Sequence, residues 1–191
     1  MKRIVLASAS PRRRELLEQI GLRFEVDPTD YDEGKAPASK PHEMAMELSL
    51  GKARAATRKN RKAIIIAADT LVVLDGRVFG KPHANAQARE MLRALNGRTH
   101  SVVTGFTILD TENGKVVSRS VETMVHIRKM TLKEIDAYVK TKEPLGKAGG
   151  YAIQGMGAVL VDRIEGDYSN VVGLPLNALA ESLGEFGVDV L

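Results

Sequence analysis

Residues 63–68, Ala-Ile-Ile-Ile-Ala-Ala, form a continuous apolar run, and that run constrains the fold more than any other feature of the chain. A strand that alternates apolar and polar side chains can leave one face in water. Six apolar residues in succession need cover on both faces, as strands inside an α/β sheet have. The run stops at Asp69-Thr70, and apolar character resumes over 71–74. Asp75-Gly76 then signals a hairpin turn, and 77–79 reads as the returning strand before Gly80-Lys81-Pro82.

The helices that could supply this cover are legible on either side. Residues 2–7 read as a short strand, and Ser10 as N-cap with Pro11 at the first helical position opens a helix. Leu16, Leu17 and Ile20 repeat at helical spacing and Gly21 ends it. Leu22, Phe24 and Val26 alternate as a second strand, and 27–41 reads as a polar loop. A helix over 42–58 follows, with Met44, Leu48 and Ala55 as its expected buried stripe. Helices are also expected over 84–95, 132–139 and 175–186, and long strands over 101–109 and 115–128 joined at Asn113-Gly114. A glycine-rich loop at 146–150 should lead to strands at 151–154 and 158–161. Helices mixed with hairpins, without a regular strand–helix repeat, give an α/β or α+β class with a mixed sheet. No repeat, low-complexity tract or long linker separates independent domains, so 1–191 reads as a single two-lobed domain.

With 191 residues, 43% of them apolar, the chain can bury a core unaided. It contains no Cys, which excludes disulfides, a thiol nucleophile and thiolate metal sites. No stretch approaches the roughly 20 apolar residues of a membrane span, and the apolar start breaks at Ser8, so the expected location is the cytoplasm. The formal charge of +4 and pI near 9.3 suit any polyanion, from nucleotide to nucleic acid. Four Tyr, four Phe and no Trp do not make a stacking platform for single strands, which disfavours nucleic acid.

Three segments carry chemistry. At Ser8-Ala9-Ser10-Pro11-Arg12-Arg13 a helix N-terminus, two hydroxyls and two guanidiniums converge, a combination suited to phosphate oxygens. Without a ligand the same residues are a capped helix with solvated arginines. At Asp69-Thr70 a carboxylate stands at the expected end of a buried strand, where it can take a proton from water or hold a divalent cation, and Lys81 offers a point charge for phosphate. The alternative there is a turn and a solvated lysine. From Glu143 to Gln154 glycines allow close backbone approach, and the Gln154 amide can both donate and accept, as reading a base edge requires. That stretch can equally be a plain loop. A P-loop and a Gly-x-Ser-x-Gly elbow are both missing from the sequence, and the four His are scattered without ligand spacing.

Taken together, Leu6-Ala7-Ser8-Ala9-Ser10-Pro11-Arg12-Arg13, Asp32-Glu33, Ala67-Ala68-Asp69-Thr70, Gly80-Lys81-Pro82, Thr104-Gly105, Lys147 to Gly155 and Val172-Gly173-Leu174-Pro175 resemble the Maf family of nucleoside triphosphate pyrophosphatases, in family order over almost the whole chain. The resemblance implies a two-lobed α/β fold similar to the inosine triphosphatases, with a mixed twisted sheet flanked by helices and a cleft between lobes. It implies cleavage of a nucleoside triphosphate between the α and β phosphates, aided by Mg2+, Mn2+ or a similar divalent cation such as Co2+. Asp69 matches the proton acceptor, with Lys52 and Lys81 as cationic catalytic positions and Ser8 and Arg13 as substrate-binding ones. Glu33 matches an acidic position that would share the metal with Asp69. Arg12, Thr70 and Gln154 match the branch acting on dTTP and UTP, where the branch acting on 7-methyl-GTP has Trp, Gln and Glu. Relatives also suggest a homodimer. Two alternatives remain at this level: the same chemistry on another base such as 7-methyl-GTP or CTP, or a regulator of septum formation that binds nucleic acid.

Overall fold

The computed structural model describes residues 2–31 and 40–191. Its strands are β1 (Arg3–Leu6), β2 (Glu25–Val26), β3 (Ala63–Leu74), β4 (Arg77–Phe79), β5 (Thr99–Asp110), β6 (Val116–Ile127) and β7 (Val161–Glu165). Its helices are α1 (Pro11–Gln19), α2 (Pro41–Thr57), α3 (Asn85–Leu95), α4 (Leu132–Lys140), α5 (Tyr168–Val172) and α6 (Leu176–Gly184). The seven strands pair in the order β2-β1-β3-β5-β6-β7, with β4 joined to β3. The sheet is mixed: β1 is parallel to β2 and β3, whereas β4 on β3 and β7 on β6 are antiparallel.

The apolar run behaves as its composition demands. Ile64, Ile65 and Ile66 are fully buried, each contributing on the order of 1.5–3 kcal/mol by leaving water. The strand does not stop at Asp69, however. β3 is one strand of 12 residues that carries Asp69 in its middle. Its register with β1 runs from Ala63 to Ile66 and its register with β4 from Val72 to Leu74, so Asp69 falls in the interval between a parallel and an antiparallel partner.

Other expectations need correction. The second strand shrinks to Glu25–Val26, both exposed, because Leu22 and Phe24 are only half-buried. The buried face of α2 is Ala45, Leu48, Ser49, Ala53 and Ala56, not the stripe through Met44 and Ala55. Small side chains face inward there because Gly105 of β5 meets the helix backbone: a Cβ on Gly105 would lie 2.2 Å from the Ala45 carbonyl carbon. The strands expected at 151–154 and 158–161 do not form. Short 3-10 turns at Ala148–Gly150 and Gly155–Leu160 replace them, with Gly149, Gly150 and Gly155 all at positive φ, and the strand begins only at Val161. α5 was not expected, whereas the Asp75-Gly76 hairpin is present with both residues at positive φ.

The chain divides into two compact units. The first is Met1–Asp69, Thr104–Val121 and Gly173–Leu191; the second is Thr70–Val103 and Glu122–Val172. A cluster of Ala7, Ala53, Ala56, Ile65, Ala67 and Leu109 packs the first. The core of the second is built on Leu92, Leu95, Val125, Ile135, Tyr138 and Tyr151 among others.

Candidate active site

In the first unit Asp69 is 4% exposed, deep enough that an uncompensated charge would be costly. The compensation comes from α2, where Lys52 places Nζ 2.5 Å from Asp69 Oδ1. Lys52 stands on the helix face next to buried Ala53 and Ala56, so the packing that holds α2 to the sheet also aims the ammonium. Removing one partner of such a pair strands the other and costs roughly 3–5 kcal/mol.

Ser8 and Arg13 lie in the same unit and are joined to one another. Arg13 Nη1 donates to Ser8 Oγ at 3.2 Å and to the Ala68 carbonyl at 2.8 Å, and its Nε donates to the Gly173 carbonyl at 2.8 Å. One guanidinium thus ties the start of α1 to the residue before Asp69 and to the turn before α6. These three bonds brace the corner beside the carboxylate. Ser10 occupies the N-cap of α1 but makes no side-chain cap; instead the Ser10 N–H donates to Ser8 Oγ at 3.3 Å. Ser8 is the buried hydroxyl of this corner, and Arg12 is half-buried on the first turn of α1.

Thr70, Lys81 and Gln154 belong to the second unit. Thr70 follows Asp69 on β3, and its side chain therefore leaves the opposite face of the strand. Lys81 is exposed after β4. Its neighbours are laced to the glycine-rich loop: the Gly149 N–H donates to the Gly80 carbonyl at 3.1 Å and the Gly146 N–H to the Pro82 carbonyl at 3.0 Å. Two of the three sequence segments therefore meet here. Gly149, at φ +70, could not carry a side chain, since a Cβ would stand 2.9 Å from Val72 Cγ1. Gln154 is half-buried at the N-cap of the 3-10 turn Gly155–Leu160.

Glu33 lies outside the described residues. Among the described residues no three His, Asp or Glu side chains stand together as a ligand set. Asp69 offers one carboxylate, with Oδ1 already on Lys52. Such a donor set fits a divalent cation that arrives with phosphate oxygens of its own, as Mg2+ commonly does, better than an ion caged by protein alone. A cavity of about 620 Å3 lined by Thr57, Arg61, Lys62 and Asp110 also opens in the first unit, but its lining includes none of the expected site residues.

Several residues that organise the second unit were not singled out from sequence. Glu143 accepts hydrogen bonds from the Met156 N–H at 3.0 Å, the Gly157 N–H at 2.9 Å and the Tyr138 hydroxyl at 2.9 Å. Burial pushes its carboxyl pKa up, but these donors, with Lys147 nearby, hold it below the usual value. His100 is buried with Nε2 2.7 Å from the Tyr151 hydroxyl, and burial, helped by the charge of His126, lowers its pKa to about 4. Tyr138 is buried on α4, and nothing in the spacing of the sequence ties it to Glu143.

The fold is shared with two solved structures. A HAM1 protein from Coxiella burnetii superposes with a TM-score of 0.57 at 17% identity, covering 97% of this chain and 100% of that one. The Ham1 protein of Staphylococcus aureus gives 0.55 at 16%, with the same coverage. The class is therefore the Ham1-type α/β fold, in line with the inosine triphosphatase-like architecture expected. The family model for Maf-like proteins matches residues 3–186, and the chain belongs to the Maf family. A protein of Methanosarcina mazei named dTTP/UTP pyrophosphatase is 50% identical over 191 residues, which is 100% of this chain and 97% of that protein. One of the same name from Moorella thermoacetica is 50% identical over 190 residues, with 100% and 98% coverage. A third, from Bacillus cereus, is 45% identical over 190 residues, with 100% and 93% coverage.

Proposed function

We propose that this protein hydrolyses nucleoside triphosphates to the monophosphate and pyrophosphate, with dTTP and UTP as preferred substrates. The observation that carries the reading is the buried Asp69 carboxylate with Lys52 at 2.5 Å, in a chain half identical over its full length to proteins named for that activity. Asp69 takes a proton from a water whose oxygen attacks the α-phosphorus. The bond from that phosphorus to the bridging oxygen breaks, and pyrophosphate leaves with the electron pair. Lys52 holds the Asp69 carboxylate in place through their contact, while Lys81 and Arg12 supply positive charge for the leaving group. A divalent cation, Mg2+ or Mn2+, held by Asp69 and Glu33 together with phosphate oxygens, would add charge neutralisation. Arg13 and Ser8 brace the corner that carries Asp69.

Base selectivity falls to Arg12, Thr70 and Gln154. The Gln154 amide can donate to a carbonyl and accept from the adjacent N3–H, the pair of groups that uracil and thymine present together. The same reading puts the enzyme in the cytoplasm as a homodimer; among the described residues no helix is long and apolar enough to cross a membrane. A panel of nucleotides with Mg2+ or Mn2+ tests it. dTTP and UTP are expected to turn over fastest, and replacing Gln154 by Glu to shift that ranking. Preference for 7-methyl-GTP or CTP, or a ranking indifferent to Gln154, would overturn the selectivity.

A further inference from the structure

The segment that carries Gln154 is held from both sides by one carboxylate and one phenol. After Gln154, Glu143 Oε2 accepts from the Met156 N–H at 3.0 Å and Oε1 from the Gly157 N–H at 2.9 Å. Before it, the Ala152 N–H donates to the Tyr138 hydroxyl at 3.2 Å, and that hydroxyl donates to Glu143 Oε1 at 2.9 Å. Residues 152, 156 and 157 are thus fixed to a single hydrogen-bonded pair, and residue 154 spans the gap between them. Glycines let the chain wrap this closely. A Cβ on Gly157 would lie 2.6 Å from the Tyr138 hydroxyl, and one on Gly155, at φ +66, would lie 2.8 Å from Glu143 Oε2. Lys147 Nζ in turn donates to the Glu143 carbonyl at 2.5 Å, which fixes the backbone of the clamp itself.

From this geometry we infer that Glu143, acting with Tyr138, is a positioning residue for nucleotide selection: it sets where the Gln154 amide meets the base. The inference rests on the base-reading role of Gln154. Gln at position 143 keeps the shape of the carboxylate but turns one acceptor oxygen into a donor, which cannot receive a backbone N–H. Phe at 138 keeps the buried ring of Tyr138 and removes only the hydroxyl.

The test compares steady-state kinetics on UTP, CTP and GTP for wild type, Glu143→Gln, Tyr138→Phe, Gln154→Ala and the double variant Glu143→Gln/Gln154→Ala. Glu143→Gln is expected to cut the preference for UTP about tenfold, falling more on KM than on kcat, since misaiming a contact costs selectivity before chemistry. Tyr138→Phe should do the same by about threefold, so the test survives if Glu143→Gln does not fold. In the double variant selectivity should be no lower than in Gln154→Ala alone, because both changes act through one contact. Glu143→Gln or Tyr138→Phe that lowers thermal stability while keeping the UTP preference would overturn the inference, as would additive losses in the double variant. If Gln154→Ala itself keeps the wild-type preference, the base-reading role falls and this inference falls with it. The base-reading role stands if Gln154→Ala loses the preference while Glu143→Gln keeps it.

Discussion

A carboxylate in the middle of a buried strand is tolerated only where a cation meets it, and Lys52 meets Asp69 from α2. That pairing explains why β3 continues through a charged position that interrupts its apolar run. Arg13 does similar work at the neighbouring residue, satisfying the Ala68 and Gly173 carbonyls. In the second unit, His100 shows the opposite solution, a buried titratable ring kept neutral. Its folded pKa of about 4 lies below the unfolded 6.5, so the unfolded chain binds the proton first as pH falls. The stability it contributes is complete above 6.5 and is lost as pH falls from there toward about 4. An NMR titration should find the His100 ring neutral down to about pH 5; a ring titrating near 6.5 would contradict this. The sequence showed Asp69, Lys52 and Lys81 as chemistry-bearing types in a family pattern. It could not show Arg13 as a brace, since two of its partners are the Ala68 and Gly173 carbonyls, set by the fold.

At the scale of elements, the long apolar and periodic segments were legible and the glycine-rich ones were not. β5, α3 and α4 form close to where their patterns predict, whereas β3 runs on through Asp69. The segment 148–160 has apolar residues that read as strand, yet positive φ at Gly149, Gly150 and Gly155 turns it into 3-10 structure. Those conformations answer to partners such as Val72 and Glu143, which no local pattern encodes. Thr104-Gly105 shows how a family motif can be packing rather than chemistry. Gly105 is the point where β5 touches the backbone of α2, the helix that delivers Lys52. Gly105→Ala should push α2 outward and lower stability by about 1–3 kcal/mol, read as the urea midpoint, with activity falling as Lys52 shifts. An unchanged midpoint would contradict the close approach.

For the whole molecule, the mixed sheet with flanking helices was readable because one doubly buried strand requires it. The division into units was less so, since three strands of 12 residues, β3, β5 and β6, each contribute to both. The unit boundary on β3 falls between Asp69 and Thr70, so these two adjacent residues belong to different units. A sequence reading that looks for linkers finds none at such a boundary. In the proposed reaction Asp69 activates the water that attacks the α-phosphorus, and following UTP products with wild type and Asp69→Asn side by side checks that step. Wild type should yield equal amounts of UMP and pyrophosphate, and Asp69→Asn should run at least about 100-fold more slowly. UDP and phosphate as products, or an Asp69→Asn variant close to the wild-type rate, would contradict it.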